Sequence, residues 1–460
     1  MHNTIRTTLA ALSSAILLAG CSADSSESSS SEAEARTVQG TVDGFGSVIV
    51  NGVHYVSSGA EFNIDDRAGV ESDLRVGQVV TITGSDDGAE GTATRIVYDV
   101  GVEGPASSVD VAAGTFVVLG QAIITDAMTV FEGVTLETMM DGQGIEVSGY
   151  VDSNGQLHAT YVAADDSGEA EVRGRIMALD EGAMTFEIRG QLVSYATVET
   201  LELDDGALTN GLLVEVEGAM DSGVLVASKI EQEDGHDFSS HDGLVKLYGY
   251  VTEVTDTTIT IGENEILITA STEIEHGGTV DLTLNAFVKV EATVNEDGVL
   301  VATEIEFEAQ VKVELEGPVT AVSENSVTVM GVTALVDTRT RIRDERDDIN
   351  YFSLANLSAG DYVELRLAEQ ADGSFRALRL ERDDAEARIK ITAPVSSVDT
   401  AASSITMLGI TVDMSAIVSI NLSTLVTGGY LEVKGTFNGS VVTAIEVEDD
   451  DRYEDHDDEH

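Results

Sequence analysis

The sequence predicts an all-β fold made of six small tandem barrels. A glycine-centred strand motif recurs six times, at intervals of roughly 64 to 76 residues. Apolar and polar residues alternate along the strands, as they do when one face of a sheet is buried. Asn-Gly and Asp-Gly pairs separate neighbouring strands, which is typical of tight hairpins. Repetition at a nearly constant period indicates an array of similar modules.

The chain begins with a segment that resembles a bacterial lipoprotein signal. Arg6 precedes an apolar stretch at residues 9–18, and the sequence Leu-Ala-Gly-Cys that ends at Cys21 resembles a lipobox. In such proteins the cysteine thiol receives diacylglycerol before the signal peptide is removed. We therefore predict that residues 1–20 are a targeting segment and that Cys21 is the lipidated residue.

A serine-rich tether is expected to follow the lipid anchor at residues 21–35, because this stretch is polar and lacks residues for a core. Ser22, directly after the cysteine, favours sorting to the outer membrane of the cell envelope. No later apolar run approaches the roughly 20 residues needed to span a bilayer. Cys21 is the only cysteine, so no disulfide bond can form within the chain.

The first strand of each repeat carries the recurring motif, centred on Gly40, Gly104, Gly174, Gly249, Gly317 and Ala393. The only three prolines, Pro105, Pro318 and Pro394, each follow this position directly. Proline cannot donate to a ladder, so we expect an edge or a bulge here and a bend in the strand. Five short strands with a bent first strand predict an antiparallel barrel like the oligonucleotide/oligosaccharide-binding (OB) fold. A small open β-sandwich is the alternative.

Aligning the motifs divides the chain into modules that we expect to lie like beads on a string. The signal peptide and tether are followed by repeat 1 (36–100), repeat 2 (101–170), repeat 3 (171–231), a linker (232–244), repeat 4 (245–310), repeat 5 (311–382), repeat 6 (388–447) and an acidic, histidine-containing tail (448–460).

Without residues 1–20 the chain keeps 23 Lys and Arg against 83 Asp and Glu, a net charge of −60, because that segment contains one cation, Arg6. Such a surface repels nucleic acid and attracts cations. Adaptation to salty surroundings and specific binding of Ca²⁺ both explain it. The tail and the linker pairs His236-Asp237 and His241-Asp242 lack the spacing of a metal motif, and we predict solvated segments there. No metal ligand or cofactor is assigned.

The residue types also argue against binding of single-stranded nucleic acid, which uses aromatic residues along a basic groove. The chain has no Trp, 11 Phe and 11 Tyr. Its densest arginine cluster, in repeat 5, is interleaved with acids and predicts a salt-bridged loop or short helical turn. The arginines are Arg339, Arg341, Arg343 and Arg346. Tyr351 and Phe352, which follow them, are expected to fill the core of repeat 5.

Catalytic motifs are missing from the sequence: it has no Gly-x-Ser-x-Gly, His-Glu-x-x-His, phosphate-binding glycine loop or Cys-x-x-Cys. His54 and His158 lie in predicted strands and are interpreted as ordinary sheet residues. An array of small, similar modules offers no large cleft. We therefore expect a protein that is not an enzyme.

The repeats resemble the bacterial domain of unknown function 5666, which occurs in tandem in secreted lipoproteins. The resemblance covers residues 36 to about 447 and rests on three motifs. These are the first strand at Val38-Gly40-Val42, the turn and strand at Leu208-Gly211-Val214-Val216, and the hairpin at Gly298-Ala302. Met140 in repeat 2 and Ala286-Phe287 in repeat 4 depart from the pattern. The family implies no known activity, so no functional residue is carried over.

These observations favour a lipid-anchored, acidic envelope lipoprotein that acts as a spacer or interaction scaffold. The alternatives are a protein that binds divalent cations such as Ca²⁺, and a module that recognises an envelope polysaccharide or a partner protein. The lipid on Cys21 would attach the protein to the membrane.

Overall fold

The computed structural model describes residues 34–449 except residues 205, 234–237, 239–242 and 348. All of these residues fall in one compact unit. Their regular structure consists of β-strands and three short 3-10 helices, without an α-helix, so the all-β prediction is confirmed. No helix in this part of the chain is long and apolar enough to cross a membrane. The 3-10 helices are Glu71–Asp73, Leu354–Asn356 and Leu422–Thr424.

Repeats 1 and 4 contribute the strands of one sheet. In repeat 1 the strands are β1 (Glu34–Gly44), β2 (Val48–Val50), β3 (Val53–Val56), β4 (Glu61–Ile64), β5 (Arg67–Ala68), β6 (Val79–Asp86) and β7 (Glu90–Tyr98). In repeat 4 they are β21 (Leu244–Val254), β22 (Thr258–Ile261), β23 (Asn264–Leu267), β24 (Glu273–Glu275), β25 (Phe287–Val294) and β26 (Leu300–Phe307).

Repeats 2 and 3 form a second sheet. The strands of repeat 2 are β8 (Val102–Asp110), β9 (Thr115–Val118), β10 (Gln121–Ile124), β11 (Val130–Glu132), β12 (Gly144–Val151) and β13 (Leu157–Ala164). Those of repeat 3 are β14 (Ala170–Arg175), β15 (Met177–Asp180), β16 (Thr185–Ile188), β17 (Gln191–Ser194), β18 (Thr200–Glu202), β19 (Leu213–Asp221) and β20 (Val224–Gln232).

Repeats 5 and 6 form the third sheet. The strands of repeat 5 are β27 (Val313–Val322), β28 (Ser326–Val329), β29 (Val332–Leu335), β30 (Arg341–Asp344), β31 (Tyr362–Glu369) and β32 (Phe375–Asp383). Those of repeat 6 are β33 (Ile389–Asp399), β34 (Ser404–Met407), β35 (Ile410–Asp413), β36 (Tyr430–Phe437) and β37 (Val441–Asp449).

Each repeat closes a ring of hydrogen-bonded strands, in which the first strand of repeat 3 is interrupted at Ile176 and contributes as β14 and β15. In repeat 5 the order around the ring is β27, β28, β29, β32, β31 and back to β27. The pairing of β29 with β32 is parallel, and the other four are antiparallel. The sequence analysis expects antiparallel barrels, but a ring with an odd number of strands needs at least one parallel neighbour. A bent first strand in a five-stranded ring is the architecture of a small OB-like barrel.

The turns between the second and third strands of the repeats have the backbone of tight hairpins. Asn51 and Gly52 in repeat 1 have φ angles of 54° and 81°, and Met330 and Gly331 in repeat 5 have 50° and 88°. Two successive positive φ values define a type I′ turn, in which glycine at the second position avoids steric strain. At Asn51-Gly52 the tight hairpin predicted from Asn-Gly pairs is therefore present.

The first strand of each repeat bends so that its two halves pair with different strands. In repeat 2, residues 102–105 of β8 pair with β12, whereas Ala106 onward pairs with β9. A register shift separates Ser107 from Asp110, shortly after Pro105. The bulge predicted from the proline position lies at this bend. Because β9 does not reach the first half of β8, that half has an open edge.

The first strand of another repeat covers this open edge. β8 pairs with β14 of repeat 3, and β27 pairs with β33 of repeat 6, both antiparallel. β1 pairs with β21 of repeat 4 in parallel. An uncovered strand edge is a site of unwanted pairing, so these contacts satisfy the backbone of two barrels at once.

In two of the three pairs of repeats the apolar cores merge as well, whereas repeats 1 and 4 have separate cores. Buried side chains of repeats 2 and 3 form one continuous cluster, and those of repeats 5 and 6 form another. The beads-on-a-string arrangement expected from the sequence differs from this, because the described repeats are joined through shared sheets and cores. A domain of about 60 residues buries only about 60% of the surface of its unfolded chain and is marginally stable alone. This explains why the repeats share apolar surface.

Phe238 lies within the predicted linker but belongs to the core of repeat 4. Its side chain is 1% exposed, and its backbone N–H donates to Oδ1 of Asn264 at 3.3 Å. The polar composition around it obscured this role in the sequence.

We predict that Phe238→Ala destabilises repeat 4. Removing a fully buried phenylalanine costs about 3 to 5 kcal/mol. Hydrogen exchange of the β21 and β25 amides checks this, and these amides should lose protection before those of repeats 5 and 6. Val280→Ala is the control, because the Val280 side chain is 84% exposed. Equal protection in both variants would contradict a core role for Phe238.

Candidate functional site: a carboxylate row where three repeats meet

Several residues singled out from the sequence lie outside the described residues. These are the lipidation site Cys21, the linker pairs at 236–237 and 241–242, and residues 450–460 of the tail. Their predicted roles remain predictions.

The arginine cluster of repeat 5 is a salt-bridged strand, not a helical turn. Arg341 and Arg343 belong to β30, which pairs in parallel with β32. Arg382 of β32 bonds both oxygens of Asp344 at 2.6 Å, and Arg379 bonds the buried carboxylate of Glu381. Paired arginine and carboxylate groups are the arrangement in which buried charges are tolerated.

The same arginines attach repeat 5 to repeat 2. Arg341 donates to the carbonyl oxygen of Met128 at 2.7 Å, Arg343 to that of Phe131 at 2.7 Å and Arg379 to that of Thr129 at 2.9 Å. These carbonyl groups lie in or beside β11. The cluster is therefore a contact between repeats and not a surface for nucleic acid.

The two aromatic residues after the arginines have different environments. Phe352 is 3% exposed within the core of repeat 5 and stacks under the Arg382 guanidinium, 4.6 Å from the ring centroid. Tyr351 is half-exposed and reaches repeat 1, where its hydroxyl donates to Glu71 at 3.0 Å. The expected core role applies to Phe352 only.

Both histidines predicted to be sheet residues lie in strands. His54 in β3 has Nδ1 3.5 Å from the Ser47 hydroxyl. His158 in β13 lies 3.3 Å from Asp152 and packs against the Tyr250 ring of repeat 4, with ring centroids 4.2 Å apart. These contacts join strands within repeat 1 and join repeat 2 to repeat 4.

A cavity of about 300 Å³ lies where repeats 1 to 4 meet. The polar groups on its wall already hold the repeats together. Arg189 donates to the carbonyl oxygens of Arg173 at 3.3 Å and Gly155 at 3.2 Å, and Gln121 donates to the same Gly155 oxygen at 2.6 Å. We therefore do not identify this cavity as the functional site.

The pairing of repeats 2 and 3 lines up four glutamates on four neighbouring strands. Glu146 of β12 is opposite Glu103 of β8, Glu103 is opposite Glu171 of β14, and Glu171 is opposite Glu217 of β19. Lys229 of β20 ends the row opposite Glu217. We call these five side chains the carboxylate row. Like charges directly opposite each other destabilise a sheet, so this arrangement requires compensation.

Compensation is uneven along the row. Glu146 accepts hydrogen bonds from Tyr98 and Gln78 of repeat 1, and Glu103 accepts one from the Ser167 hydroxyl at 2.8 Å. Glu217 bonds Lys229 at 2.9 Å. Glu171 is 6% exposed, and its Oε1 has no hydrogen-bond partner among the described residues. The most buried part of the row is thus the least compensated.

A turn of repeat 1 adds two more acids to the row. Asp65 and Asp66 connect β4 to β5 with φ angles of 51° and 57°. Asp65 lies within hydrogen-bonding reach of Glu171, and Asp66 bonds Lys229 at 2.6 Å. Asp66 also offers an oxygen within 4.8 Å of oxygens from Glu215 and Glu217. Three repeats therefore bring carboxylates to one place.

Burial shifts the titration of these acids. Desolvation, followed by the charges of Glu215 and Asp65, raises the pKa of Glu171 far above its ordinary value. Desolvation is also the main cause that raises the pKa of Glu215 to about 8 and that of Glu103 to about 7. Low local dielectric and like charges disfavour the ionised form.

The sequence contained part of this signal. Alternation such as Val214-Glu215-Val216-Glu217 predicts one buried and one hydrated face. The glutamate face is covered instead, because repeat 1 packs over it. Packing between repeats that are distant in sequence cannot be seen in the alternation.

A second group of side chains that could hold a metal ion lies in repeat 4 and consists of Glu275, His276 and Glu306. Glu306 already bonds Lys289 at 2.6 Å, and Glu275 and His276 are exposed. These contacts explain the group without a ligand.

We predict that the carboxylate row, together with the neighbouring Glu215, makes stability depend on pH when divalent cations are chelated. The pKa values of Glu103, Glu171 and Glu215 are raised in the folded protein. Their contribution to the free energy of unfolding is therefore complete below about pH 4.5, the pKa of glutamate in the unfolded chain. It is lost as the pH rises through about 7 and about 8, the folded values of Glu103 and Glu215. Thermal unfolding in chelator from pH 5 to 9 should show a falling midpoint.

Glu171→Gln isolates this effect from the general repulsion of an acidic chain. The amide keeps the shape of the protonated acid, so we expect a shallower fall than in the unmodified protein. Glu187→Gln, an exposed substitution in β16, should leave the slope unchanged. A Glu171→Gln slope equal to that of the control would contradict the assignment.

Comparison with curated proteins yields no match. Two solved structures resemble the chain weakly. One, described as Drosophila Unr CSD456, is 13% identical, with a TM-score of 0.12, and the match covers 46% of this chain and 97% of that one. The other, a Streptococcus pneumoniae multidomain protein with nucleic acid binding domains, is 12% identical, with a TM-score of 0.11, over 44% and 72%. TM-scores this low carry no conclusion about this chain.

The repeats themselves match a family model. The matched residues are 103–163, 173–231, 248–306, 316–381 and 392–448, which correspond to repeats 2 to 6. Repeat 1 lies outside these ranges but closes the same ring of strands. With five matched copies in tandem, the chain belongs to the family of the domain of unknown function (DUF5666).

Proposed function

We propose that the protein is a lipid-anchored, non-enzymatic scaffold or spacer of the bacterial cell envelope. The observation that carries the proposal is the joining of repeats through shared sheets and cores. Joints of this kind leave little freedom between repeats. They suit a protein that holds its surfaces in a constant arrangement.

Contacts between the three sheets support the same function. Tyr150 of repeat 2 packs edge-on against Phe287 of repeat 4, with ring centroids 5.3 Å apart. Val76 of repeat 1 is buried with Val130 and Tyr161 of repeat 2. The arginines of repeat 5 bind the backbone of repeat 2. Apolar and polar groups of several repeats are thus used to connect them, which is the use expected in a scaffold.

The sequence before the repeats supports the anchor. The lipobox-like residues up to Cys21 and the serine-rich stretch after it are typical of a lipid-anchored protein on a flexible tether. The net charge of −59 would keep the domains soluble and away from anionic headgroups. The outer membrane is the favoured location because serine follows the cysteine.

Labelling with palmitate in the producing bacterium tests the anchor. We expect incorporation into the membrane-bound protein and loss of both label and membrane association in Cys21→Ser. Ser22→Ala is the matched control and should keep the label. Unchanged membrane association in Cys21→Ser would refute lipid anchoring.

Distances between repeats test the rigid scaffold. Because Cys21 is the only cysteine, a Cys21→Ser background accepts two unique spin labels. We expect labels at Thr94 of repeat 1 and Thr443 of repeat 6, both exposed, to give one narrow distance distribution. A pair within repeat 6, at Ala401 and Thr443, supplies the reference width. A much broader distribution between repeats 1 and 6 would favour independent beads.

A further inference from the structure

Among the described residues the carboxylate row sets one cation against four glutamates. Beside the row, Arg67 acts on Asp65, and Arg173 is opposite Glu215. Lys229 lies at the end of the row, where it bonds Asp66 at 2.6 Å, Glu217 at 2.9 Å and Glu231 at 2.8 Å. This ammonium group already serves three carboxylates. Glu171 lies at the next position of the row, with an oxygen that no donor contacts among the described residues.

Two other repeats have a lysine at the position of Glu171. The residue before the first apolar residue of the motif is Lys246 in repeat 4 and Lys390 in repeat 6. Lys246 bonds Glu291 at 2.9 Å. Lys390 bonds Glu316 at 3.1 Å, Glu314 at 3.4 Å and Glu432 at 3.6 Å. In both repeats a side-chain cation neutralises the neighbouring acids.

The comparison is closest between repeats 3 and 6, because each pairs with its neighbour in the same register. Glu171 is opposite Glu103 at one junction, and Lys390 is opposite Glu316 at the other. Glu103 and Glu316 are equivalent residues of the motif. The junction between repeats 2 and 3 therefore has a carboxylate where its counterpart has an ammonium group.

Repeat 5 also has an acid before its first apolar residue, but it is compensated. Glu314 is 1% exposed on its side chain and lies 3.6 Å from Arg366 and 3.4 Å from Lys390. A buried acid at this position thus occurs together with two cations. Glu171 is also buried, but its Oε1 has no hydrogen-bond partner among the described residues.

We propose that a divalent cation, with Ca²⁺ as the best fit, binds among Asp65, Glu171 and Glu215 and locks repeat 1 onto repeats 2 and 3. Asp66 and Glu217, which also bond Lys229, lie close to Glu215 and would supply further oxygens. The ion takes the place that the lysine ammonium group occupies in repeats 4 and 6.

The ligand chemistry favours Ca²⁺ among common metal ions. The cluster offers only carboxylate oxygens, which select hard cations over zinc or copper. Ca²⁺ takes six to eight oxygens at about 2.3–2.6 Å in flexible geometry, so oxygens on one ion lie up to about 5 Å apart. The oxygens of Asp66, Glu215 and Glu217 lie within 4.8 Å of one another. Mg²⁺ demands a stricter octahedron and retains its waters.

Calorimetry on the full mature chain, stripped with chelator and titrated with CaCl₂ in high sodium chloride, tests the site. High salt screens diffuse attraction of cations to an acidic surface, so a saturable heat reports a specific site. We expect one site with micromolar affinity and a rise in the unfolding temperature on binding. No saturable heat and no thermal shift would overturn the proposal.

Two substitutions assign the site, and one control matches them. Glu171→Gln should weaken Ca²⁺ binding at least about tenfold, as expected when a charged ligand is lost. Glu171→Lys introduces the residue that repeat 6 has at this position, Lys390. We expect it to abolish Ca²⁺ binding and to raise the unfolding temperature of the calcium-free protein. Glu187→Gln, which removes an equal charge from exposed β16, should bind like the unmodified protein.

The remaining outcomes are equally decisive. If Glu171→Lys fails to fold, Glu171→Gln alone carries the assignment. Equal loss of affinity in Glu171→Gln and Glu187→Gln would show diffuse binding and contradict the site. If the unmodified protein shows no Ca²⁺ effect while Glu171→Gln stabilises it in chelator, the row holds a shared proton and the proposal is wrong. None of these results depends on the lipid anchor.

Discussion

The architecture depends on the open edge of the first strand in each barrel. That strand bends, so its first half pairs with the fifth strand of its own ring and leaves the opposite edge uncovered. An uncovered edge invites pairing, and here the first strand of another repeat occupies it. This single constraint turns tandem barrels into joined pairs, merges their cores in two of the three pairs, and sets which outward side chains meet across each junction.

Charge is the second constraint, and it follows from the first. The chain has 24 basic residues against 83 acidic ones, so most carboxylates must rely on water or on a shared cation. The structure places much of the available positive charge at junctions. Lys390 serves three glutamates between repeats 5 and 6, and Arg341 and Arg343 attach repeat 5 to repeat 2. Where cations are placed so selectively, a row of four glutamates that shares one lysine stands out.

The sequence predicted the turns and the strand bends well because neighbouring residues determine them. Type I′ turns follow from residue pairs such as Asn51-Gly52, and in three repeats a proline such as Pro105 marks the bend. The OB-like ring was predicted, although its parallel closing pair was not. The site was missed because Asp65 and Glu171 are about a hundred residues apart in the chain and meet only when repeat 1 packs on the glutamate face. A strand pattern shows which face is polar but not what covers it.

The repeats are alike in the buried apolar residues of the motif. They differ at the position directly before the first of these residues. Glycines and valines recur in the motif because the first strand of every barrel bends at the same place and its apolar side chains fill the same core. The position itself holds Thr37, Gly101, Glu171, Lys246, Glu314 and Lys390 in the six repeats. Opposite charges there favour one partner and like charges disfavour another, as cross-strand pairs do in any sheet. We infer that the cores specify the barrel and that this position contributes to the choice of partner. Glu171 then makes the junction of repeats 2 and 3 dependent on a cation from outside the chain.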